Sequence, residues 1–285
     1  MTGGTEVFPA PAKLNLFLHV IGRKPDGYHL LQTVFRFIDY GDEISFVVRA
    51  DGAIRHTNPL RGVPPEEDLT VRAARALQRE TGCREGADIS IVKRLPMGGG
   101  LGGGSSDAAT TLIALNRLWR TGWSRARLQN LALQLGADVP VFVFGQNAFA
   151  EGIGERLQPL QLPPAWYLVL VPELAVSTAE IFAAPELTRN TNAITIAPFS
   201  VGLARNIPGR NDLEPVVCRR YPQVAHHLEW LQRYGDARMT GSGACVFCAF
   251  ESYDQAHRVL SELPGDMRGF VARGLDRHPL WSEDD

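Results

Sequence analysis

"PMGGGLGGGSSDAA", Pro96 to Ala109, places six glycines in the seven positions from Gly98 to Gly104, then two serines, an aspartate and two alanines. Upstream, "ADISIVKRL" alternates as a strand. Downstream, Ala109, Leu112, Ile113, Leu115 and Trp119 fall at helical spacing, with Gly122 to stop the helix. A slack linker would lie between domains with no structure pressed on its ends, whereas this run joins a strand directly to a helix. Glycines allow positive φ and let backbone N–H groups converge on a ligand. The helix that follows opens with unpaired N–H groups and a partial charge of roughly +0.5, which together favour a bound anion. The candidate phosphate cradle is therefore Pro96 and Met97, then Gly98, Gly99, Gly100, Leu101, Gly102, Gly103 and Gly104, then Ser105 and Ser106. The two serines could cap the helix, donate to phosphate or help hold a metal ion.

The run satisfies G-x-G-x-x-G at Gly98, Gly100 and Gly103, but no Asp or Glu lies between Asp107 and Asp138 to grip a ribose, as a dinucleotide fold requires. A Walker loop needs G-K-[ST], and no lysine follows the glycines. Neither "GGGSSD" nor "TGSGA" is a nucleophile elbow.

The rest of the chain bounds the answer. With 285 residues, 45% hydrophobic and 21% charged, two domains are expected, and the apolar and polar runs indicate mixed α and β structure. A formal charge of −2 and a pI near 6.4 supply no broad cationic face for nucleic acid or anionic membrane. The longest apolar runs are too short for a membrane span, and Glu6 sits where a secretory signal would carry a basic residue, so a cytoplasmic location is expected. Cys245 and Cys248 fall in the strand-like "GACVFCAF", where positions i and i+3 face opposite ways, so core packing is the better reading than a metal site.

Along the chain, "AKLNLFLHVIG", "LLQTVFRFID" and "DEISFVVR" read as strands, the first two joined through the turn residues Pro25, Asp26 and Gly27. "EEDLTVRAARALQRETG" and "SRARLQNLALQLG" read as helices. Asp138 is expected in a loop, because Pro140 biases Val139 away from helix. "LQLPPAW" marks a crossing, so the domains are taken as 1–162 and 163–285, with the extreme C-terminus packing back on the first. In the second half, Ser177 and Glu180 have capping-box spacing, "LTRNTNAITIAPFS" reads as a mobile loop, and Asn211 and Asp212 read as a helix start.

The glycine run resembles the phosphate motif of the GHMP kinases. The resemblance is reinforced by "PAKLNLFLHVIGRKPDGYHLLQT" before it and by "LGADVPVF" and "TGSGACVF" after it, and it extends in order from about Pro11 to near Pro279. It implies a two-domain fold, an ATP-binding α/β domain with a left-handed βαβ crossover followed by a smaller α/β domain, and an active site in the cleft between them. Within the family, the pattern is similar to the branch that uses ATP and Mg2+ to phosphorylate the 2-hydroxyl of a cytidyl-diphosphate methylerythritol in non-mevalonate isoprenoid synthesis. A homoserine or mevalonate kinase is the nearest alternative, and a non-kinase nucleotide-binding protein the more distant one. The resemblance makes Lys13 the group that orients the acceptor hydroxyl and Asp138 its general base. It places Asn15, Tyr28, His29, Thr178 and Phe182 at the substrate, with the aromatics around the cytosine. It makes Gly241, Ser242 and Gly243 a turn supporting the phosphate loop.

On the residues alone, Lys13 and Asn15 share a strand face with Phe17 and His19, while Leu14, Leu16 and Leu18 turn into the core. Asp107 suits the helix dipole but adds negative charge beside phosphates; a role with magnesium stays open, and the metal ligands are unassigned. A small-molecule substrate is the expected partner, with the protein a monomer or weak homodimer.

Overall fold

The computed structural model describes residues 6–60, 62–195 and 209–282. It begins with a long antiparallel hairpin, β1 (Val7–Arg23) and β2 (His29–Arg49). The turn is set by Asp26, which accepts from Tyr28 N–H, and by Gly27 at φ 94. The stretches 30–39 and 42–49, expected as two strands, are one strand. The register shifts between Pro11 and Ala12 opposite Gly41, where a Cβ would lie 2.2 Å from the Ala10 oxygen.

A second shift, between Asn15 and Leu18, corrects the expected alternation. Leu16 and Phe17, adjacent in sequence, enter one apolar cluster with Leu14, whereas Leu18 and Val20 enter another. No open polar face survives: Lys13, Asn15 and His19 are all buried.

The next elements are β3 (Ile54–His56), α1 (Leu69–Thr81) and β4 (Gly86–Val92), a βαβ unit whose strands pair in parallel. Asp68 caps α1 by accepting from Thr70 N–H, and Gly82 ends it in the left-handed region. Then come α2 (Gly103–Leu118), α3 (Arg125–Leu133) and α4 (Val139–Phe144), followed by β5 (Ala148–Gly152) and β6 (Arg156–Pro159). The stop of α2 differs from expectation. Trp119 is its C-cap, and Arg120, at φ 51, takes the left-handed position two residues before Gly122.

Asp138 lies in the turn ahead of α4 as its N-cap, but Pro140 does not keep Val139 out of helix: both stand in the first turn. The N–H that proline lacks is one the first turn leaves unpaired in any case, so the helix tolerates it there.

The second half contains β7 (Trp166–Leu170), α5 (Thr178–Ala183), α6 (Glu214–Arg220), α7 (Pro222–Gln232), β8 (Arg238–Met239), β9 (Val246–Phe250), α8 (Tyr253–Ser261) and β10 (Gly269–Leu275). Ser177 caps α5 as its spacing with Glu180 predicts. Asn211 and Asp212 do not cap α6, whose N-cap is Leu213. Asn211 instead donates to the carbonyls of Met239 and Gly241, and Asp212 accepts from Val20 N–H. The expected loop 187–200 has neither helix nor strand up to residue 195; the remainder lies outside the described residues.

The main sheet runs β3-β4-β2-β10-β7-β9-β8 and is continuous across the two halves, because β10 pairs with β7 and, through Gly274 and Leu275, with β2. Gly274 is required there: a Cβ would lie 2.3 Å from Nε of the buried Arg36. Cys245 and Cys248 belong to different apolar clusters, as opposite-facing core residues must.

Candidate active site

A cavity of about 940 Å³ opens between the glycine run, β1, the hairpin turn and α5. Lys13, Asn15, Tyr28, His29, the run from Pro96 to Ser105, Asp138, Thr178, Phe182, Gly241 and Ser242 all line it; Ser106 and Gly243 do not.

Gly98, Gly100 and Gly102 have φ between 70 and 76, so the run coils back on itself in a way that side-chain-bearing residues resist. Gly102 is the N-cap of α2 and has no side chain to offer, so neither serine caps the helix. The first intrahelical bond runs from Ser106 N–H to Gly102 O, which leaves the N–H groups of Gly103, Gly104 and Ser105 ahead of the helical ladder. Ser106, expected with Ser105 at phosphate, is fully buried and donates its hydroxyl to Pro11 O at 2.7 Å.

The turn 240–243 packs against the run. Cys245 N–H donates to Gly99 O, Thr240 Oγ1 donates to Gly100 O, and a Cβ on Gly100 would meet the Thr240 oxygen at 2.2 Å. Thr178 and Ser242 share a hydroxyl hydrogen bond at 2.6 Å, tying α5 to this turn.

Lys13 enters from β1 and Asp138 from the start of α4. Nζ of Lys13 lies 3.4 Å from Oδ2 of Asp138 and donates to Gly100 O at 2.9 Å and to Asn15 Oδ1. The ammonium thus has two hydrogen-bond acceptors and an ion-pair partner, the compensation that a buried cation requires. On the protein side the Asn15 amide nitrogen donates to Thr33 Oγ1 and its backbone N–H to Thr240 Oγ1, which leaves the side chain a second amide N–H. The lysine is 2% exposed and the carboxylate 39%, so the base faces the cavity while the cation sits behind it.

At the other end, the rings of His29 and Phe182 lie 4.9 Å apart, so no third ring fits between them. The exposed ring of Tyr28, 61% accessible, offers a further stacking face in the cavity lining. Arg189 donates to Nε2 of His29 and to the carbonyls of Phe182 and Ala184, holding the pair in place. Burial first, and then the charges of Arg189 and Arg23, hold the imidazole below its ordinary value, in keeping with its role as acceptor.

Sequence reasoning missed a second buried charge cluster. Lys93 donates to Asp42 and to Asp107, each at 2.6 Å, and lines the cavity with Asp107. Asp42 also accepts from the backbone N–H groups of Arg94 and Leu95, whereas Oδ1 of Asp107 has no partner. Burial, together with the like charge of Asp42 and despite Lys93, pushes the Asp107 carboxyl up to about 7. Among the described residues, no three His, Cys, Asp or Glu side chains cluster as metal ligands. The apolar mouth formed by Leu60, Val63 and Leu69 was missed as well; Asp68 lies beside it, bonded to His56 Nδ1.

Residues 68–146 match the GHMP kinases N terminal domain and residues 196–268 match GHMP kinases C terminal. The chain is 63% identical over 275 residues to a 4-diphosphocytidyl-2-C-methyl-D-erythritol kinase of Nitrosospira multiformis, covering 95% of this chain and 92% of the relative. It is 64% identical over 277 residues to the protein of that name from Thiobacillus denitrificans, covering 97% and 98%. A crystal structure of 4-(cytidine 5'-diphospho)-2C-methyl-D-erythritol kinase superposes with a TM-score of 0.80 at 34% identity, covering 94% of this chain and 99% of that one.

Proposed function

The chain belongs to the GHMP kinases, in their 4-diphosphocytidyl-2-C-methyl-D-erythritol kinase branch, and from that premise we propose how its cavity carries out the transfer. The protein is an ATP-dependent phosphotransferase of isoprenoid precursor synthesis, and its acceptor is the 2-hydroxyl of 4-diphosphocytidyl-2-C-methyl-D-erythritol. The homoserine, mevalonate and non-kinase readings are set aside.

The triphosphate lies along the run from Pro96 to Ser105, with its charge on the free N–H groups at the mouth of α2. The apolar mouth at Leu60, Val63 and Leu69 takes the nucleotide base. Tyr28 and Phe182 take the cytosine, His29 and Thr178 border it, and Gly241, Ser242 and Gly243 brace the loop. Phosphoryl transfer needs positioning, charge stabilisation and a group to accept the hydroxyl proton. Asp138 accepts that proton at Oδ2. Lys13, 3.4 Å away, orients the carboxylate and stabilises the negative charge growing on the acceptor oxygen. Asn15 positions the ammonium through its Oδ1, and its second amide N–H serves the substrate. The observation that carries this reading is the Lys13–Asp138 pair at the edge of the glycine cradle.

Mg2+ needs only one or two protein carboxylates beside phosphate oxygens and water, so it enters with the nucleotide, and no side chain here is assigned to it. The same proposal includes a cytoplasmic enzyme, a monomer or weak homodimer, with the ATP-binding half ending near Leu162. No helix among the described residues is long and apolar enough to cross a membrane. The packing of Trp281 over Arg125 supports a C-terminus folded back on the first half.

The test is ADP release with ATP, Mg2+ and a panel of alcohols. Turnover is expected with the cytidyl alcohol alone, and phosphorus-carbon coupling in the product should locate the phosphate on the 2-position. Comparable turnover of homoserine or mevalonate would overturn the assignment.

A further inference from the structure

Asp138 makes no side-chain capping bond, so the placement of its carboxylate follows that of the six-residue helix behind it. A helix this short does not hold itself in place, and whatever holds α4 therefore bears on the base. One hold is Phe142, whose ring would lie 2.9 Å from a Cβ on Gly102. The other is at the far end, where α4 stops at Gly145 in the left-handed region, at φ 75, and meets residues near the end of the described chain.

His278 N–H donates to Gly145 O at 2.8 Å, and Trp281 covers Gly145 so closely that a Cβ there would lie 2.5 Å from Cδ1 of the indole. Gln146 and Arg277 pair as an antiparallel β-bridge. Asn147 donates from Nδ2 to Leu275 O and accepts at Oδ1 from Phe37 N–H. The chain leaving β10 thus forms a strap across the end of α4.

The strap is itself held in shape. Leu280 N–H donates to Nδ1 of His278 and Trp281 N–H to His278 O, so the segment folds as a turn. The guanidinium of Arg277 lies 3.9 Å from the centre of the Trp281 ring and that of Arg125 5.9 Å, while Arg125 also donates to Val143 O in α4. His278 is buried, its ring edge-on to Phe37 with centroids 6.0 Å apart, and Phe37 packs on Phe142 at 5.5 Å. Burial first, and then the charge of Arg125, pushes the imidazole down to about 3, so the ring stays neutral around pH 7.

Contacts therefore run from Trp281 to Gly145, and from His278 through Phe37 and Phe142 to Gly102. A shift of about 1 Å in a catalytic group costs on the order of 10²-fold in rate, so even a small movement of α4 matters. We propose that His278 and Trp281 are positioning residues for the phosphoryl transfer: the strap they form sets α4 so that Asp138 meets Lys13 and the acceptor hydroxyl. The role rests on Asp138 being the base.

The test is a double-mutant cycle on the full chain, read by single-turnover transfer to the cytidyl alcohol and by titration with a non-hydrolysable ATP analogue. Trp281 is partly exposed, so Trp281→Ala should fold. Its transfer rate should fall at least tenfold, with the dissociation constant of the analogue changed less than threefold. Trp281→Phe, which keeps a ring over Gly145, should recover to within threefold of the parent. In the Asp138→Asn background, Trp281→Ala should cost less than twofold, because no base is left to misplace. A parental rate in Trp281→Ala, or an equal loss in both backgrounds, overturns the strap and leaves the base standing. Should Trp281→Ala fail to fold, Trp281→Leu is held to the same limits. A parental rate in Asp138→Asn alone overturns the base, and the strap's role with it.

Discussion

Nζ of Lys13, on the first strand, and Oδ2 of Asp138, 125 positions later at the start of α4, stand 3.4 Å apart. α4 holds Asp138 there because its Phe142 packs on Gly102: a Cβ at Gly102 would lie 2.9 Å from that ring and 3.1 Å from Cε of Lys13. The catalytic pair and the phosphate loop therefore share one packing contact.

Replacing Asp138 with asparagine keeps the shape and removes the base. Turnover should fall by roughly 10²–10⁴-fold, with the dissociation constant for an ATP analogue changed less than threefold. Single-turnover assays alongside nucleotide titration would check this, and parental turnover with the cytidyl alcohol would remove Asp138 from the mechanism.

Gly102→Ala meets both a left-handed backbone, at φ 73, and the Phe142 ring. A stability loss of about 1–3 kcal/mol is expected, with weakened ATP binding. Gly104→Ala is the control: its Cβ would make only ordinary contact, 3.4 Å from Leu69 Cδ1, so the melting temperature should not fall.

Tyr28 is exposed, so Tyr28→Ala should fold normally. Loss of one stacking face is worth roughly 1–3 kcal/mol, which corresponds to a rise in KM for the cytidyl alcohol of about 5- to 150-fold with kcat little altered. Phe182→Ala should act in the same direction and also free His29. Steady-state kinetics separates the two constants, and an unchanged KM in both variants would move the base elsewhere.

Asp107 predicts a pH effect on stability. Its carboxyl is raised from 3.8 to about 7 in the folded protein, so as pH climbs through this window the unfolded chain loses a proton that the folded one retains. Folding stability from this group is therefore present at pH 4 and declines towards pH 7. Asp107→Asn stays neutral throughout, so urea denaturation should show the variant gaining on the parent between pH 4.5 and 7.5. A constant difference across that range would mean that Asp107 is ionised all along.

The phosphate loop was legible in the sequence because everything it needs is local: positive φ, absent side chains and a helix start all follow within a dozen residues of Pro96. The Tyr28 turn, the α5 cap and the opposed cysteines were legible for the same reason. Local pattern could not show that the face bearing Lys13 is buried, since a register shift in β1 and a partner strand far along the chain decide it. Nor could it reveal Asp42 behind Lys93, Arg189 behind His29, or the convergence of Lys13 on Asp138. Periodicity records which way a residue points from its own strand or helix. Only the packing of distant elements determines which charges meet there, and whether water is still present to screen them.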